Sequence, residues 1–183
     1  SECREIFTEN FIANMDDNRL GGPYVIPIVV HVIHYYEEEN ISYEQIDNGI
    51  FRINEDFNGL NDDLSEVIAE FDMIKGFPNI EFRLATKDPD GNCTTGITYN
   101  QSSLTFNGGE NVKDDTYWDN EKYLNIWTVA NVASGAAAYA YYPGSAPTNH
   151  EGILCQHDYF GTTGTSNNSN WRRHTMSHEA GHY

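Results

Sequence analysis

The longest unbroken apolar stretch of the chain is Val25-Ile26-Pro27-Ile28-Val29-Val30-His31-Val32-Ile33. So β-branched a run, with no polar alternation, predicts a strand over 24–34 buried on both faces. Pro27 falls near its start, where a missing N–H is tolerated. The period then changes: Ile46, Ile50, Ile53 and Phe57 recur at helical spacing and predict a helix from Ser42 to Asn58-Gly59 with one face on a sheet. Ser42 with Gln45 reads as a capping box, and Ile41 with Ile46 as a hydrophobic staple. Ile80, Phe82 and Leu84 alternate with Glu81, Arg83 and Ala85, the pattern of a strand with one covered face. Asp88-Pro89-Asp90-Gly91 is a turn. Shorter strands are predicted over 96–99, 123–129 and 152–157, and an edge strand over Tyr139–Tyr142, closed by Pro143-Gly144. Weaker helical spacing runs over Glu5–Met15 and Ser65–Ile74. A last helix, fed by the cap-rich run Asn167-Asn168-Ser169-Asn170, occupies 171–183, with Met176 and Ala180 as its apolar stripe.

This order predicts an α/β (or α+β) fold in which a twisted, mostly parallel sheet carries a backing helix and the terminal helix. No repeat or interdomain linker interrupts it. At 183 residues, with 39% apolar and 13% aromatic side chains, the chain can bury one domain's core, which excludes disorder. Lys and Arg number 10 against 28 Asp and Glu, for a net charge of −18. Such a surface repels nucleic acid and anionic membranes and favours cationic partners. No apolar run reaches membrane-spanning length. The chain begins at Ser1 rather than Met, so processing is expected. Three cysteines are too few for a disulfide scaffold and lack zinc-finger spacing. Cys155 lies in a strand pattern and reads as a buried thiol, while Cys3 and Cys93 are left free to pair or not.

The candidate chemistry is at the end of the chain, in Ser177-His178-Glu179-Ala180-Gly181-His182-Tyr183, an H-E-x-x-H motif. On a helix, His178 and His182 project one turn apart from one face, where two imidazoles can reach one zinc ion. Glu179, beside the first, is placed to take a proton from water at that ion. Gly181 costs about 1 kcal/mol of helix propensity, so a close neighbouring strand is expected there. His174 lies on roughly the same face, but from His174 to His182 is about 12 Å, too far for one tetrahedral ion; it reads as a surface residue. His31 and His34 fall on opposite faces of a strand and read as structural. Asp114 and Asp115 read as a solvated turn rather than a cation site.

Several ordered motifs together resemble the pappalysin family of metzincin metallopeptidases, particularly its cytophagalysin and ulilysin-like members. They are Ile26-Pro27-Ile28-Val29-Val30-His31-Val32; Asp88-Pro89-Asp90-Gly91-Asn92 leading to Thr95-Gly96-Ile97; Tyr123-Leu124-Asn125-Ile126-Trp127; Tyr159-Phe160-Gly161-Thr162; and Thr175 through His178-Glu179, Gly181, His182 and Tyr183. The resemblance covers the chain from about Tyr24 onward. It implies a secreted zinc endopeptidase, often calcium-stabilised, acting on peptide or protein substrates, with His178 and His182 as metal ligands and Glu179 as general base and acid. It implies that residues 23–183 form the upper part of a catalytic domain. The third histidine and the methionine turn of the family have no counterpart up to Tyr183, so a C-terminal complement of the domain is expected to supply them. The alternative is a catalytically incomplete fragment, a pseudoenzyme or a binding module. The resemblance also suggests residues 1–22 as a pro-segment remnant or an N-terminal extension, with Cys3 as a latency switch, although Cys3-Arg4-Glu5 departs from the family's Cys-Gly-Thr; a disulfide or a free thiol remain the other readings. The acidic balance favours substrates with Arg or Lys near the cut.

Overall fold

The apolar run becomes strand β1 (Tyr24–His34), the axis of the sheet, with Ile28 through Ile33 buried. The computed structural model describes residues 23–167, 169 and 172–183. The helical pattern over Glu5–Met15, Cys3 and the Asn168, Asn170 and Trp171 positions lie outside the described residues. Helix α1 (Tyr43–Phe57) follows β1, then a one-turn helix α2 (Ala69–Asp72), β2 (Ile80–Leu84), β3 (Ile97–Gln101), β4 (Leu124–Val129), β5 (Ala138–Ala140), β6 (Ile153–Gln156) and helix α3 (Thr175–His182).

The sheet runs β2–β1–β4–β6–β5. β2 pairs with the first half of β1 and β3 takes over along its second half. Every pairing is parallel except that of β5 with β6, so β5 is an antiparallel edge. The edge strand predicted over Tyr139–Tyr142 thus lies one residue earlier and is shorter, its ladder with β6 closing at Ala140 opposite Ile153.

Alternate side chains of a strand face opposite ways, and here both faces are covered. On one, Val30, Val32, Ile126, Ile153 and Cys155 pack under Ile46, Ile50 and Ile53 of α1 and Met176 and Ala180 of α3. On the other, Ile33, Trp127, Val129 and Leu154 close against Val112 and Val132. Each fully buried side chain of this size contributes about 1.5–3 kcal/mol. Ser42 caps α1 by accepting from the Gln45 N–H at 3.3 Å, and the staple residues Ile41 and Ile46 are buried. Asn54 of α1 donates to the Phe82 carbonyl and accepts from the Phe82 N–H, at 2.9 and 2.8 Å, occupying the open edge of β2 as another strand would.

The capping box is only half formed. The Gln45 side chain does not turn back to Ser42 but reaches across to the loop that leads into α3. Its amide donates to the carbonyls of His157 and Phe160 at 3.0 and 3.1 Å and accepts from the Thr165 N–H at 2.9 Å. Asn48, one turn on, accepts from the Thr162 N–H at 2.7 Å. Phe160, fully buried, rests where a Cβ on Gly49 would stand, 2.4 Å away, so α1 and this loop meet only because residue 49 is glycine.

Candidate metal centre

Helix α3 owes its position to its buried stripe. Met176 and Ala180 enter the core beneath the sheet, which turns His178 and His182 outward, where both are exposed. The two imidazoles stand edge to face with centroids 4.6 Å apart, and their Nε2 atoms lie 3.0 Å from each other. Two donors each 2.0–2.1 Å from a tetrahedral zinc ion would be about 3.3 Å apart. The pair therefore fits such an ion within a few tenths of an ångström. Among the described residues no third His, Cys, Asp or Glu joins them in a cluster able to hold a metal. The Tyr142 ring stands edge-on to His182 at 5.8 Å.

Glu179 lies between the two histidines in sequence and is largely buried. Burial raises its carboxyl above the ordinary range, against the pull of both imidazoles and of the Ala140 N–H, with which it is hydrogen-bonded. A carboxylate raised in this way can hold or release a proton nearer neutrality. The contact with Ala140 ties the helix to the edge strand β5.

His174 is not the surface residue its sequence suggests. It caps α3 half-buried, its Nδ1 2.8 Å from an Asp56 oxygen and its Nε2 2.8 Å from an Asp63 oxygen. Burial depresses its basicity, but the two carboxylates outweigh this and leave it raised. Ser177 also donates to Asp56, and Arg173 pairs with Asp63 at 2.8 Å, holding the Asp63 carboxyl well below the usual range. This network fastens the start of α3 to the end of α1.

The remaining candidates fall into structural roles. His31 is buried with both nitrogens engaged, 2.8 Å from Thr98 Oγ1 and 3.0 Å from Asn125 Oδ1, and burial lowers it to about 4. Asp114 binds His150 and Asn149 rather than facing water alone. Cys155 is a free, fully buried thiol and Cys93 is disulfide-bonded. Gly181 has open space where its Cβ would be, so no close strand explains it. What the sequence pattern missed is the support around the site: Gln45 and Asn48 under the loop, and Asp56 and Asp63 behind His174. The available signal was Gln45, Asn48 and Asp56 on the inner side of α1's amphipathic pattern; Asp63 lies beyond that helix.

An H-E-x-x-H sequence on a helix, set beneath the antiparallel edge of a mostly parallel sheet, is the arrangement of a metzincin-type metallopeptidase fold. A family model described as pregnancy-associated plasma protein-A, peptidase M43, matches residues 107–183. Segment 107–183 is thus similar to the pappalysin family, a likeness that implies zinc. Mature mirolysin of Tannerella forsythia, in complex with a cleaved peptide, is 34% identical with a TM-score of 0.80, the match covering 88% of this chain and 63% of that one. Mirolysin in complex with a compound is 32% identical with a TM-score of 0.76, over 88% and 63%. A T. forsythia promirolysin variant is 32% identical with a TM-score of 0.80, over 99% and 61%. The chain therefore spans a little under two thirds of the length of these structures. No curated protein matches it.

Proposed function

We propose that this protein is a secreted zinc-dependent endopeptidase, in which residues 23–183 form the upper part of the catalytic domain. The observation that carries the reading is the convergence of His178 Nε2 and His182 Nε2 to 3.0 Å on a helix turn that also carries the buried Glu179. His178 and His182 would hold the zinc through these nitrogens. When bound, zinc supplies Lewis acidity, bringing a water towards a pKa of about 7 and polarising a carbonyl. Glu179 takes the water's proton on a carboxylate oxygen and later returns it to the departing amine. Its burial favours the uptake, because a desolvated carboxylate is a stronger base than an exposed one.

The peptide is held by β-augmentation: an extended segment adds to the free side of β5 through backbone hydrogen bonds, beside the histidine pair. The mirolysin structure with a cleaved peptide supports a peptide substrate. The net charge of −18 favours basic residues near the cut. Secretion is supported by the disulfide at Cys93, which persists in oxidising compartments, and no helix among the described residues is long and apolar enough to cross a membrane.

The test is Glu179→Ala in the full encoded protein, with zinc content and peptide cleavage measured together. The expected result is retained zinc and a loss of about 10²–10⁴-fold in kcat. Cleavage unchanged by the substitution, or a wild-type protein that binds no zinc, overturns the reading in favour of a binding module.

A further inference from the structure

On the face of the sheet opposite α3 lies a buried cation that the proposed reaction does not use. Lys113 is fully buried. Its Nζ donates to the His150 carbonyl at 2.9 Å and stands 3.3 Å from Glu110 Oε2. Three rings enclose it, Tyr139 at 4.8 Å, Tyr141 at 4.9 Å and Trp127 at 5.2 Å to the centroid. The Tyr139 and Tyr141 hydroxyls both donate to Glu110 Oε1, at 2.7 and 3.1 Å. His150 adds a fourth group on Glu110, its Nδ1 3.3 Å from Oε2, and pairs with Asp114 through Nε2.

A buried ammonium is costly, and a methionine would fill the same space without desolvation. What the charge adds is direction, because cation–π contacts and charge-assisted hydrogen bonds fix the planes and hydroxyls of both tyrosines. Those tyrosines flank Ala140. Strand β5 is three residues long and pairs with β6 alone, so its own ladder holds it weakly. The Gln156 N–H to Ala137 carbonyl bond, with Tyr139 opposite Leu154, sets the hydrogen-bonding phase. By the alternation of an antiparallel pair, Tyr139 bonds inward to β6, while Ala138 and Ala140 turn their N–H and C=O groups to the open side.

We propose that Lys113 and Glu110 are positioning residues: through Tyr139 and Tyr141 they fix the tilt of the edge strand on which the peptide backbone is held. This rests on the endopeptidase reading above. The cage acts from the far face of the sheet, grips the side chains on either side of Ala140, and leaves the strand's free backbone groups to the substrate and to Glu179.

The experiment compares the zinc-loaded wild-type protein with Lys113→Met, using a peptide long enough to lie along Ala138–Ala140 and a short one that does not reach them. For the long peptide KM is expected to rise about tenfold, the worth of one misaligned hydrogen bond, with kcat and zinc content unchanged. For the short peptide neither constant moves. Amide exchange at Tyr139 becomes about tenfold faster. Tyr141→Phe, which removes one hydroxyl and keeps the ring, shifts the same KM in the same direction by less, and serves if Lys113→Met fails to fold. An unchanged KM for the long peptide in a folded variant, or equal losses for both peptides, overturns the proposal. If the wild-type protein cleaves nothing, the endopeptidase reading falls, and Tyr139 exchange then decides the strand-holding role alone.

Discussion

His174, His178 and His182 follow one another at four-residue intervals along α3, and they stand in opposite electrostatic company. His174 has a carboxylate on each ring nitrogen, from Asp56 and Asp63, 2.8 Å away on either side. His178 and His182 have each other, with Nε2 atoms 3.0 Å apart and open solvent beyond. The first pattern consumes both nitrogens and favours the charged ring; the second leaves two ring nitrogens facing one point, as a metal requires. Spacing along a helix brings histidines to one face, and the partners supplied by other elements decide which remain available.

The contrast can be broken at its metal end. His178→Ala or His182→Ala should lower zinc affinity by more than the roughly 10–100-fold that losing a group behind a ligand costs. His174→Ala should leave it within about tenfold. Competitive chelation of the three purified variants measures this, and an equal loss in all three would show that His174 belongs to the same site.

A smaller effect is expected from removing the anchor itself. Asp56 receives His174 and Ser177, so Asp56→Ala should cost about 1.5–3 kcal/mol, the range for hydrogen bonds to charged groups. For a chain of this size that is about 2–4 °C of Tm per kcal/mol. Thermal unfolding measures it. A Tm that does not move would mean that α3 is held by Met176 and Ala180 alone.

The subtlest test is pH. His174 is raised in the fold, so the folded state holds the proton more tightly than the unfolded chain does. The stability it confers is complete below the unfolded value of about 6.5 and is lost as pH climbs through the higher folded value. The Tm difference between wild type and His174→Gln should therefore shrink on the alkaline side of about 6.5. A difference that grows there would mean a neutral His174.

Much of the scaffold was legible because burial imposes a period. The two-sided burial of β1 required an unbroken β-branched run, and the one-sided burial of α1 required Ile46, Ile50 and Ile53 at helical spacing. Ser42 and the Asn58-Gly59 stop were readable because chain ends of a helix have unpaired groups that only certain residues satisfy. Gln45 was misread because a cap and a long-range clasp ask for the same amide. His174 was misread because its two carboxylates are more than a hundred residues away in the chain. Lys113 gave no signal at all, since a lysine among acidic residues is ordinarily at the surface.

By itself, the sequence determined the periodic elements and the pairing of His178, Glu179 and His182 on one turn of helix, because these depend on neighbours within four residues. Tertiary structure alone decided which histidines keep free nitrogens, that Glu179 is desolvated against Ala140, and that β5 forms an edge gripped from behind by Lys113. Each of these follows from contacts between distant segments, and a carboxylate, an amide or an ammonium does different work according to which distant group folding sets beside it.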